Sequence, residues 1–292
     1  KARFVGHQQA ASFLADDAEI AVVEVGGKVR GYPIDWITRP HVIANAGDRF
    51  GVDDVVMTYC ALSHAAIAFA PQVGGRKLDL AVAGQLSNNL MLYDRRSNRL
   101  VQQLFGSFGL KPGNGAVMRR HATRIMSYRS YRTLFPGGRV YFNPPSAPFR
   151  GLISRSWDRI VRAIMKDVLD KHYDPATDRP YFPIPRFDDR LKPKAFVHAF
   201  DIDGDRVAYT TEFLKANGGR IDTVIGGEPT AIVHFTEHGF VDAFRTGGRA
   251  VGDIGPNGDT KDGERLERQP MIPEIFWMVW AHYFPDTDLN RL

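Results

Sequence analysis

Short apolar runs punctuated by glycine turns dominate the chain. Ile20-Ala-Val-Val-Glu-Val25, then Gly26-Gly27, then Lys28-Val-Arg-Gly-Tyr32 reads as strand, tight turn, strand. The same pattern returns at Val197-His-Ala-Phe-Asp-Ile202, Asp203-Gly204 and Asp205-Arg-Val-Ala-Tyr209. Val55 to Phe69 aligns without gaps to Thr230 to Phe244, and Gly-Gly-Arg follows each, at Gly74 to Arg76 and Gly247 to Arg249. An aromatic helix ending in Phe-Pro closes each copy, Tyr128 to Pro136 and Phe276 to Pro285. Landmarks repeated in one order predict two diverged repeats. The first lies within residues 1–142 and the second, shorter, within 194–292.

The segment between them, 143–193, has another periodicity. Trp157, Ile160, Val161, Ile164, Met165, Val168 and Leu169 fall on one helical face, which predicts an amphipathic helix packed on the core. Ser154 or Ser156 is placed to cap its start. A proline-rich strap from Pro180 to Pro193 then leads into the second repeat. Short strands with tight turns favour antiparallel meanders over βαβ units. The fold class expected is α+β: two β-rich repeats, peripheral helices and a helical spacer.

Composition narrows the functional classes. Hydrophobic residues are 43% and charged residues 24% of 292, ordinary for a globular chain and unlike a disordered one. The net charge of +5 comes from scattered arginines, without the basic stripe and interleaved aromatics of a nucleic-acid groove, so no nucleic-acid partner is expected. No apolar run reaches the roughly 18 residues of a membrane helix, so no membrane span is expected. No signal peptide pattern is present, although a chain opening on Lys1 without Met leaves room for a preceding segment. Gly113-Asn-Gly115 and the Gly-Gly pairs lack phosphate-loop spacing, so no nucleotide cofactor is expected.

The only cysteine, Cys60, excludes an internal disulfide and any Cys-rich zinc cluster. It ends an apolar strand, and His64 follows four residues on, with His41 upstream. One thiolate and two imidazoles suit a mononuclear transition-metal redox centre, copper favoured, zinc or iron as alternatives. The partner would be a small-molecule substrate or a redox protein. A second reading makes Cys60 a nucleophile without metal, with His41 or His64 as base and Asn45 or Asp94 orienting it. A third is a non-catalytic module binding a small ligand or a partner, with Cys60 as packing, since free cysteines are among the most buried residues. Asn88 and Asp94 flank the apolar Leu90 to Tyr93 and read either as pocket wall or as strand-end turns, with Gln102 similar. Cys60 aligns with Phe235, so the second repeat lacks the thiol, while carrying His234 and His238 nearby.

Several motifs resemble a bacterial and archaeal family known as domain of unknown function 3179. They are Gly31-Tyr32-Pro33, His41-Val-Ile-Ala-Asn45, Thr58-Tyr59-Cys60-Ala-Leu-Ser63-His64, Ser87-Asn88-Asn89-Leu90 with Tyr93-Asp94-Arg95, and Gln102-Gln103. Asp189 to Lys194 and Ile225-Gly-Gly-Glu-Pro229 carry the likeness into the second repeat. The resemblance implies an extracytoplasmic location, periplasmic or secreted, and a site around the cysteine motif, without an established reaction. This chain departs from the family's pattern there: its second cysteine is Ser63, the following glycine is His64, and the tryptophan before the glutamine is Val101. A dithiol couple is therefore impossible within one chain.

Overall fold

Two hairpins turn on residues that adopt a left-handed backbone, which glycine reaches without steric cost. Glu19–Val25 and Lys28–Pro33 pair antiparallel across Gly26 (φ 57°) and Gly27 (φ 72°), the turn geometry that suits strand twist. Phe196–Ile202 and Asp205–Tyr209 pair across Asp203 (φ 50°) and Gly204 (φ 87°). The structure, a computed structural model, describes residues 2–44, 54–110, 116–144, 152–174 and 176–292.

Each hairpin sits inside a sheet with the same order of partners. In the first, Arg139–Tyr141 lies parallel to Lys28–Pro33, and Thr123–Ser127 lies antiparallel to Glu19–Val25. In the second, Asp288–Asn290 lies parallel to Asp205–Tyr209, and Ile272–Phe276 lies antiparallel to Phe196–Ile202. Thr123–Ser127 and Ile272–Phe276 each run directly into a seven-residue helix, Tyr128–Leu134 and Trp277–Tyr283. Both helices end on phenylalanines of nearly equal backbone angles, Phe135 (φ −130°, ψ 67°) and Phe284 (φ −132°, ψ 70°). The proline that follows cannot continue a helix. The α+β class holds, with several small, mostly antiparallel sheets.

The segment aligned in sequence also has the same local form. Val42–Ala44, Val56–Cys60 and Ala65–Phe69 make an antiparallel meander, and so do Arg220–Ile225, Glu228–Phe235 and Phe240–Arg245. Phe235, aligned with Cys60, packs on Phe240 and Phe244 at ring separations of 5.0 and 6.2 Å. The residues between Leu80 and Phe108 form a further sheet whose inner strands are Asn89–Asp94 and Arg99–Gln102. One hydrophobic cluster joins the two parts of the chain, since Cys60, Ile67 and Leu90 share it with Val197, Ile272, Phe276, Trp277 and Trp280. A buried ionic group also joins them: Asp242 accepts from Arg124 and Arg268, each at 2.8 Å.

The spacer helix differs from the expectation. It runs over Leu152–Tyr173, 22 residues, so Ser154 and Ser156 lie inside it and neither caps its start. Ile160 and Ile164 are 53% and 61% exposed, so that part of the apolar stripe does not enter the core. At the C-terminal end Leu169 and Tyr173 reach the main cluster. Periodicity finds a helix and its apolar face, but whether a surface is available to cover that face depends on the rest of the fold.

Candidate functional site

The turn between Val56–Cys60 and Ala65–Phe69 is held from outside at successive carbonyls. Tyr173 Oη donates to Ala61 O (2.6 Å), His172 Nε2 to Leu62 O (2.7 Å) and the Phe276 amide to Ser63 O (3.1 Å). The Tyr181 amide donates to His172 Nδ1 (3.1 Å), which fixes the proton of that ring on Nε2. The C-terminal end of the long helix and the strand-to-helix junction at Phe276 thereby position His64, the residue that ends the turn.

His64 is buried (2% exposed) and has φ 57°, an uncommon conformation for a residue with a side chain. Its Nδ1 lies 3.0 Å from the backbone carbonyl of Glu274. A carbonyl only accepts, so Nδ1 carries the proton, and Nε2 points to Glu19 Oε2 at 3.5 Å. Glu274 also has a positive φ, 52°. It sits where the pairing register shifts between Val197↔Ile275 and Ala199↔Ile272. Such a bulge re-aims a side chain, and here it accompanies a carboxyl group placed beside the imidazole. One ligand atom each of Glu19, His64 and Glu274 lie within 4.8 Å of one another. Two unusual backbone conformations at one cluster are the kind of local strain that marks functional sites.

Glu19 and His64 face a cavity of about 330 Å³. Tyr59, Tyr173, Asp35 and Asp170 contribute to its wall. Titration is coupled within the cluster. Burial opposes charge on His64, but the hydrogen bond and charge of Glu19, helped by Glu274, outweigh it and hold the imidazole above its usual value. The His64 hydrogen bond holds Glu19 below the usual carboxylate range, against its burial. Glu274 is pushed up to about 7, by burial first, which Glu19 reinforces and His64 opposes. Glu19 and His64, shifted in opposite directions by their mutual contact, therefore border the cavity, with Glu274 beside them.

The residues expected from sequence are distributed over several environments. Cys60 is fully buried in the main hydrophobic cluster, and its single S–H has two acceptors in reach, Gln85 Oε1 (3.3 Å) and Asn88 O (3.6 Å). Burial raises its pKa, with hydrogen bonds from Ser63 among the opposing effects. His41 (φ 68°) is half-buried and bonds through Nδ1 to Tyr59 O at 3.1 Å, and burial lowers its pKa. Cys60 and His41 are thus not part of the Glu19–His64–Glu274 group. Asn45 lies outside the described residues.

Asn88 behaves like a piece of β backbone. Its amide donates to Phe182 O (2.7 Å) and its carbonyl accepts from the Phe182 amide (2.8 Å), which ties the proline-rich strap to the sheet. Asp94 closes the turn after its strand, accepting from Asp79 N (2.8 Å), Ser97 N (2.9 Å) and Ser97 Oγ (2.6 Å). Gln102 donates to Asn89 Oδ1 (2.7 Å) and accepts from Phe105 N (3.0 Å). It belongs to a fully buried polar network in which Asn89 also donates to Ser63 and Gln103, and Gln103 to Thr58. Every member of such a network needs its partner, because an unpaired buried amide costs about 1–3 kcal/mol.

A thiol in this setting is expected to be inert. Iodoacetamide should leave Cys60 unmodified in folded protein and alkylate it fully in denaturant, read by mass spectrometry. Cys60→Ala should lower stability by about 1–2 kcal/mol as a small core truncation, with the cavity intact. Rapid alkylation of the folded chain would contradict this environment.

Glu19 and Glu274 escaped the sequence analysis. Glu274 lies 210 positions from His64, and Glu19 lies at the start of a strand with an exposed side chain. A signal for Glu274 did exist: it is a lone acid in the apolar run Met271-Ile-Pro-Glu-Ile-Phe-Trp277. The family DUF3179, a protein of unknown function, matches residues 1–287 of the chain. No curated protein and no solved structure matches it.

Proposed function

The chain belongs to the DUF3179 family of unknown function, and from that premise we propose that it binds a divalent transition metal at Glu19, His64 and Glu274, beside a small-molecule cavity. The single observation that carries this reading is the convergence of one imidazole and two carboxyl groups within 4.8 Å. Nitrogen with carboxylate oxygens suits zinc, iron(II) or manganese, whereas copper in a thiolate site needs a sulfur that Cys60 does not bring to this group. His64 donates its one ring proton, on Nδ1, to a backbone carbonyl and leaves Nε2 free, the usual way a metal-bound histidine is oriented.

Three protein ligands leave coordination positions for water or substrate, as catalytic metal sites do. Glu19 and His64 line a cavity of about 330 Å³, within the size range of small-ligand pockets. Burial raises the phenols of Tyr59 and Tyr173 well above their usual values, so both stay neutral hydrogen-bonding groups in its wall. A metal here would act as a Lewis acid on an oxygen of a bound small molecule. Cys60 belongs to the core in this reading.

The test is metal analysis. Protein stripped with chelator and dialysed separately against zinc, iron(II), manganese and copper is expected to retain about one equivalent of at least one of the first three. His64→Ala should retain less than about 0.2 equivalents of the same metal, while Cys60→Ala retains it all. Less than about 0.2 equivalents of every metal in the unmodified protein would remove the proposal.

A further inference from the structure

We infer a second ligand site, for a small molecule carrying a phosphate-type oxyanion, in a cleft where four sheets meet. The cleft has a volume of about 750 Å³ and shares no lining residue with the His64 cavity. Its wall is built from strands far apart in sequence: Ser107–Phe108, Arg120–His121, Asp205–Tyr209 and Phe240–Arg245. Arg119, Arg120, Arg206 and Arg245 all contribute to it, against the carboxylates of Asp201 and Asp203. The lining therefore carries two more positive than negative charges.

The arginines are pre-positioned. Arg120 Nη1 donates to Asp201 O (2.9 Å), and its other terminal nitrogen to Leu104 O. Arg206 Nε donates to Asp201 Oδ1 (3.2 Å), and its guanidinium lies 5.1 Å from the Phe284 ring centre. Arg245 is held by Gln269 and lies 3.5 Å from the carboxylate of Glu267, outside the lining, which still leaves one positive charge in excess. One aspartate thus orients two guanidinium groups and cannot neutralise both. A planar guanidinium fork matches oxyanion geometry, so the spare positive charge favours a phosphate-type group.

A second, independent feature points to a ligand. Ser107 lines the cleft, is 4% exposed, and its hydroxyl has no hydrogen-bond partner. Buried polar atoms nearly always have one, and a bound oxyanion would supply it. The cleft's volume exceeds that of an inorganic anion and lies within the range of organic ligands.

Isothermal titration of the full chain with inorganic phosphate and with glycerol 3-phosphate, at low salt, tests the site. Saturable 1:1 binding of glycerol 3-phosphate is expected, with about tenfold loss in Arg119→Ala and a smaller loss in Ser107→Ala, whose fold should be unaffected. His64→Ala should bind as the unmodified chain does, which separates this site from the metal proposal. Tighter binding of glycerol 3-phosphate than of inorganic phosphate would show that the organic part is also held. Absence of saturable binding of either probe, or binding that neither cleft variant weakens, would overturn the inference.

Discussion

Asp242→Asn is expected to lower the free energy of unfolding by about 3–5 kcal/mol, the loss typical when one partner of a buried ion pair is removed. Asp242 and Arg124 are each 2% exposed, and Asp242 Oδ2 accepts from Arg124 Nη1 and Arg268 Nε at 2.8 Å. Glu24 completes the group, 2.9 Å from Arg268, 2.8 Å from Arg265 and 3.6 Å from Arg124. Asparagine keeps the volume of the aspartate and removes its charge, so the cost is electrostatic rather than a cavity. Arg124 already has Nε and Nη2 without hydrogen-bond partners, which leaves it little means of compensation. Urea unfolding measures the effect through a lower midpoint with an unchanged slope. Because the pair is shielded from solvent, added salt should barely alter the loss. Adding Arg124→Met to Asp242→Asn should recover part of it, since the stranded charge is then gone. A loss below about 1 kcal/mol would mean that water reaches the group.

Metal affinity is expected to rise steeply between pH 5.5 and 8, by roughly tenfold per pH unit for each proton displaced. The sign follows from the proton-holding groups. His64 sits above its usual 6.5, chiefly through Glu19, and Glu274 sits near 7. Both must release protons before they can ligate, so acid competes with metal. Without metal the linkage runs the other way. Both groups bind protons more tightly folded than unfolded, so their contribution to stability is present at low pH and declines as pH rises through their folded values. Metal should therefore stabilise the protein most at the alkaline end. Glu274→Gln should weaken binding by about 10–100-fold and remove the proton step near 7, leaving the His64 step in place. Competition with a metal indicator at successive pH values reads both effects. An affinity independent of pH would sink the assignment of His64 and Glu274 as ligands.

Much of the architecture was legible in the chain. The turns at Gly26-Gly27 and Asp203-Gly204, the aligned meanders, and the two helices ending in Phe-Pro all lie where local pattern places them. Each is a short-range feature: a turn needs particular backbone angles, and a strand needs alternating or apolar faces. The site was legible only in part. His64 stands out because it lies at a strand end near the lone cysteine, whereas the carboxyl groups beside it, Glu19 and Glu274, are distant in sequence. Asn88, Asp94 and Gln102 stand out in the sequence as polar residues beside apolar ones. Their hydrogen bonds serve a strap, a turn and a buried network, a distinction that single-residue chemistry cannot make.

The sequence by itself determined the α+β class, the tight turns and the impossibility of an internal disulfide, because these depend on near neighbours and composition. The tertiary structure alone decided which groups meet. Glu274 reaches His64 across 210 positions through a strand irregularity, and Arg119 and Arg120 meet Arg206 and Arg245 in one cleft through the stacking of separate sheets. The thiol that drew attention in the sequence points instead to Gln85 and Asn88 inside the core. The physical reason is that side-chain direction alternates along a strand and shifts by a full face at each bulge, so the environment of a residue is set by the register and packing of distant strands.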